Sequence, residues 1–135
     1  MVKKSINQET TAEVIVNEAN LAADSEENQI FATLSNNLAE IRQDKSVVGY
    51  IIRNTTSATI DLREPERIVE YAIFSSQVLD SSREISELFK LGNIESILIE
   101  GKENNALCMI MGGNKISIFI EKDANHSKIL KRVSP

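Results

Sequence analysis

The chain has 135 residues, enough for one domain with a single core. Its 41% hydrophobic and 26% charged residues exclude a chain that is disordered throughout. A net charge of −5 argues against nucleic acid as partner, because a polyanion would need a concentrated basic stripe to overcome the mean field.

Such a stripe is missing: Lys128, Lys131 and Arg132 cluster, but at the end of a helical pattern, where the helix dipole alone favours cations. The single cysteine, Cys108, allows no internal disulfide. Residues Met1 to Ala12 lack the apolar core of a signal peptide, and no apolar run approaches the ~20 residues of a membrane span. A cytoplasmic chain without a membrane span is expected.

Residues 1–24 are rich in Asn, Glu, Ala and Thr and are expected to form a tail of uncertain order, followed by one domain over 25–135. Within the tail, Val14, Ile15 and Val16 are too short a run to distinguish a strand from a helical turn. Asp24 and Glu27 have capping-box spacing, and Ile30, Phe31, Leu34, Leu38 and Ile41 then form one apolar stripe, predicting a first helix that ends near Gln43.

The run Val47 to Ile52 is apolar at every second position on both faces, as a strand can be only in the middle of a sheet covered on both sides. After the short break Arg53 to Thr56, a second strand over Ser57 to Leu62 should pair with it as a hairpin. Pro65 opens a long second helix that Gly92 stops near Leu91. Its expected core stripe is Ile68, Tyr71, Ala72, Ser75, Val78, Leu79, Ser82, Ile85 and Phe89, while Ile73 falls on the opposite side with Glu70, Gln77, Asp80 and Glu84.

Three strands follow, Ile94 to Glu100, Ala106 to Met111 and Lys115 to Glu121, joined by turns at Gly101-Lys102-Glu103-Asn104 and Gly112-Gly113-Asn114 whose glycines should supply positive φ. Asp123 is expected to cap a last helix with the stripe His126, Ile129, Leu130 and Val133. The order is α-β-β-α-β-β-β-α, an α+β domain.

Recognisable active-site chemistry is absent. One histidine and one cysteine cannot fill the four N/S positions of a structural zinc site, and neither the P-loop nor the dinucleotide glycine pattern occurs, so no metal, cofactor or catalytic residue is expected. Cys108 and His126 are the one conceivable nucleophile and base, but a mid-strand cysteine and a histidine on an apolar helical stripe are both explained by packing. Ser75, Ser76, Ser81 and Ser82 read as small residues that allow close packing of the second helix. Ile73 and Phe74, amid charges, suggest a helix contacted on both sides.

The element order, together with Val47-Val48-Gly49-Tyr50-Ile51-Ile52, Ile97-Leu98-Ile99-Glu100-Gly101 and Glu121-Lys122-Asp123-Ala124-Asn125, resembles the Roadblock / dynein light-chain family over about Glu26 to Val133. In the first hairpin, where many members carry Asp-Gly, this chain has Arg53-Asn54-Thr55-Thr56. The resemblance implies a five-stranded antiparallel sheet in order 2-1-5-4-3, with helices one and three on one face and helix two on the other. It also implies a homodimer formed through strand three and helix two, placing Glu70, Ile73, Phe74, Gln77, Asp80, Ser81, Glu84, Ile94, Ser96 and Leu98 at the interface. By the same analogy the chain is a non-enzymatic regulator or scaffold of a small Ras-like GTPase. The alternative is a small-molecule sensor or another signalling adaptor, since layered sheets of this kind also present concave pockets.

Overall fold

The computed structural model describes residues 12–17 and 26–135. In chain order the elements are β1 (Ala12–Asn17), α1 (Glu26–Ile41), β2 (Val47–Arg53), β3 (Ser57–Leu62), α2 (Ile68–Phe89, entered through a 3-10 turn at Pro65–Arg67), β4 (Ile97–Glu100), β5 (Asn104–Met111), β6 (Asn114–Glu121) and α3 (His126–Val133). All neighbouring strands are antiparallel, in the order β1-β3-β2-β6-β5-β4. The five strands β2 to β6 thus have the expected arrangement. A sixth, β1, lies inside the stretch read as a tail and pairs with β3 from Ala12↔Leu62 to Asn17↔Ser57.

Two apolar layers sandwich the sheet. On one face Leu34, Leu38 and Ile41 of α1 and Ile129 and Val133 of α3 pack on Val47, Tyr50, Ile52, Leu107, Met109, Ile116, Ile118 and Ile120. On the other, Leu79 of α2 packs with Val48, Ile51, Leu62, Ala106, Cys108 and Phe119. Each such side chain removed from water contributes about 1.5–3 kcal/mol, so both layers are needed to offset the chain's ordering entropy. Strand β2 supplies both layers, which is why its sequence is apolar without a break, and all six residues from Val47 to Ile52 are buried. Gly49 is required there: a Cβ would stand 2.5 Å from the Asp61 carbonyl oxygen and 2.6 Å from Leu62 Cδ2.

The first hairpin turns without glycine because Asn54 substitutes for it. Its Oδ1 accepts from the backbone N–H of Thr56 and of Ser57, both at 2.9 Å, and its Nδ2 donates to Asn28 Oδ1 of α1 and Asn114 Oδ1 of β6. An asparagine side chain is suited to this because it mimics a backbone turn. The β5–β6 hairpin does use positive φ at Gly112 (55°) and Gly113 (81°), whereas Gly101 has no positive φ and its turn closes by Gly101 N–H donating to Asn104 O.

Three local expectations are corrected. The Asp24 cap of α1 lies outside the described residues, but α3 is capped by Asn125, whose side chain accepts from Lys128 N–H, while Asp123 sits in the preceding turn. Helix α2 stops at Phe89, before Gly92, because Lys90 itself adopts the left-handed conformation (φ 58°, ψ 43°) and returns its N–H to Ser86 O. Finally, Ile85 and Phe89, expected in the core, are 50% and 66% exposed. The buried positions are Ser75, Leu79, Ser82 and Ser86, so the C-terminal half of α2 presents small serines to the sheet and turns its large apolar residues outward.

Candidate interaction surface

Helix α2 and the open side of β4 concentrate the apolar surface that the two core layers leave uncovered. Strand β4 pairs with β5 alone, and among the described residues no strand pairs with its outer edge. At about 100° per residue, the side of α2 that carries Phe74 and Val78 also carries Ile85 and Phe89. Phe74 and Val78 pack in the same layer as Ile97 and Ile99 of β4, so this flank of the helix overlooks the open edge. Leu88 (73% exposed) borders it, and Leu91 continues the apolar patch past the helix end.

Polar contacts fix the helix in place. Ser75 Oγ and Ser117 Oγ lie 2.5 Å apart beneath it, and Ser117 in turn donates to Cys108 Sγ at 3.3 Å. Ser82 Oγ donates to Leu79 O, and Ser86 Oγ donates to Gly92 O. Arg53 reaches Ser76 Oγ from β2. At the helix N-terminus Arg67 pairs with Glu70 at 2.7 Å and lies over the Tyr71 ring, which stacks on Phe119 with centroids 4.4 Å apart.

The interface residues named from sequence are not brought into one patch. Ile73 (53% exposed), Gln77, Asp80 and Glu84 face outward from the sheet; Asp80 is 4.0 Å from Lys115. Glu70, Phe74 and Ser81 lie on the side toward β4. Ile94 and Ser96 precede β4, which begins at Ile97, and Leu98 pairs opposite Leu107. Sequence reasoning missed Ile85, Leu88, Phe89 and Leu91. The available signal was four large apolar residues within seven positions next to serines, more than one buried stripe can use.

Two cavities border α2. One of about 390 Å³ is walled by Tyr71, Phe74, Ile99 and Phe119, with Arg67 and Lys102 among its lining residues. The other, about 710 Å³, lies under the helix end between Ser82, Ser86, Ile94 and Ile110. Cys108 is fully buried on the α2 face, where burial pushes its thiol pKa up and the Ser117 hydrogen bond pulls the other way. His126 opens α3 on the opposite face, so the two do not meet. Among the described residues no group of His, Cys, Asp and Glu could hold a metal ion, and no helix is long and apolar enough to cross a membrane.

No protein-family model and no curated protein matches the sequence. Among solved structures, a Roadblock/LC7 domain from Streptomyces avermitilis superposes with a TM-score of 0.62, covering 72% of this chain and 85% of that one at 10% identity. The fold is roadblock-like. In a roadblock-like sheet of five strands, β4 and β3 are the two edges. This chain leaves the first open beside the apolar flank of α2 and covers the second with β1.

Proposed function

We propose that the chain is a non-enzymatic, cytoplasmic regulator or scaffold of a small Ras-like GTPase, acting as a homodimer formed through β4 and α2. The observation that carries this reading is the apolar flank of α2, with Ile85, Leu88 and Phe89 exposed, beside the unpaired edge of β4. An open edge strand is a hazard that pairing with a second copy removes, and a two-fold axis at that edge would bring the two α2 flanks together. The roadblock-like fold supports a small regulatory or adaptor role. The outward face of α2, with Ile73 set among Gln77, Asp80 and Glu84, then remains free for a partner.

Immobilised chain incubated with extract of the source cells, once with a non-hydrolysable GTP analogue and once with GDP, tests the partner. Retention of a Ras-like GTPase in one nucleotide state supports the reading, and recovery in neither overturns it. The second reading, a small-molecule sensor, draws on the aromatic-walled cavity of about 390 Å³ at Tyr71, Phe74 and Phe119. A saturable ligand-induced rise in melting temperature that Phe74→Ala abolishes would favour it.

A further inference from the structure

The edge of the sheet opposite β4 carries an independent feature. Strand β3 is built without help from β1: β2 pairs with it from Gly49↔Leu62 to Arg53↔Ala58, and the Asn54 hydrogen bonds fix the turn that leads into it. Its Leu62 is fully buried and Ile60 packs in the α2-side layer. Strand β1, by contrast, makes its extensive contacts with β3 alone. It adds six consecutive residue pairs at the sheet margin.

Residues 18–25 join β1 to α1, and an extended chain of that length reaches about 26–29 Å. Both ends of the connection meet the same hairpin, because Asn17 is paired with Ser57 and Asn28 Oδ1 accepts from Thr56 Oγ1. The short tether keeps β1 at an effective concentration of order millimolar at the β3 edge.

We propose that the β3 edge is a strand-acceptor site, guarded in cis by residues 12–17, that takes an extended segment of a partner protein in antiparallel register when the guard leaves. Recognition is by main-chain hydrogen bonds, with apolar residues favoured opposite Ala58, Ile60 and Leu62. The site lies at the opposite margin of the sheet from β4, so it operates whether or not the chain dimerises there.

The test uses the full chain with Val14 and Ile15 both replaced by proline. Successive N–H groups of a strand point to opposite sides, so one of the two faces β3 and its loss breaks the ladder. A second full-length variant, with residues 12–17 replaced by alternating Gly and Ser, avoids any backbone constraint. The probe is a fluorescein-labelled peptide of residues 10–18, followed by anisotropy.

Both variants should bind the peptide saturably, the parent chain should bind it about tenfold or more weakly because the tethered strand competes, and a peptide with proline at positions 14 and 15 should not bind. Variants that keep a cooperative unfolding transition yet bind no peptide, or a parent chain that binds equally well, would overturn the proposal. The light-scattering mass of the variants should equal that of the parent, which separates this site from the β4 interface.

Discussion

The buried hydroxyl chain under α2 sets an unequal pair of mutational effects. Ser75 and Ser117 are 2% and 0% exposed, and their oxygens are each other's partners, but Ser117 also has Cys108 Sγ within reach. Ser117→Ala therefore strands the Ser75 hydroxyl in a dry layer and should cost about 1–3 kcal/mol. Ser75→Ala leaves Ser117 its sulfur partner, and alanine is the better helix former by about 0.5 kcal/mol, so the net loss should be under about 1 kcal/mol. With both replaced nothing polar remains to desolvate, and the double variant should be no worse than Ser117→Ala, a coupling of about 1 kcal/mol. Urea unfolding followed by circular dichroism reads this as shifts of the midpoint at constant slope. A Ser75→Ala loss equal to or larger than that of Ser117→Ala, or strictly additive losses, would refute the assignment.

Three further outcomes follow from local geometry. Lys90→Gly removes a side chain from a left-handed position (φ 58°) and should raise stability by about 1 kcal/mol, seen as a higher melting temperature; a fall would mean that the lysine side chain is needed there. The Ser46 backbone N–H, then the Ser46 hydroxyl and the nearby Arg132, lower the Asp44 pKa from 3.8. Because the folded-state value is the depressed one, this contribution is present above the unfolded value and fades as pH falls through the folded one, so Asp44→Asn should flatten the loss of stability below about pH 4 and change nothing in its slope near neutrality. Cys108, buried and with a raised pKa, should react with a thiol reagent only as fast as the protein opens, and rapid labelling of native protein would contradict its placement.

Much of the fold was legible because it is written in local periodicity. The unbroken apolar run of β2, the i, i+4 stripe of α1 and the glycine pair of the last hairpin each specify their element without reference to the rest of the chain. The features that were not legible depend on distant partners. Strand β1 is too short to declare itself and exists through the edge that β3 offers it. The left-handed Lys90 defies the glycine rule, and the last turns of α2 reverse the usual pattern, with Ser82 and Ser86 inside and Ile85 and Phe89 outside. Of the candidate surface, α2 and the region of β4 were identified from sequence. The distinction between the outward face at Ile73 and the flank at Ile85 and Phe89 required the position of the helix on the sheet.

The mass of the full chain in solution bears most directly on the proposed function. Light scattering across a dilution series should give twice the 15.0 kDa of one chain, falling to a single chain for Ile85→Asp with the circular dichroism spectrum unchanged. Replacement of Ile73 by Glu probes the outward face in the same assay, with monomers expected if that face also packs across the axis. A parent chain of 15.0 kDa at every concentration would contradict the account.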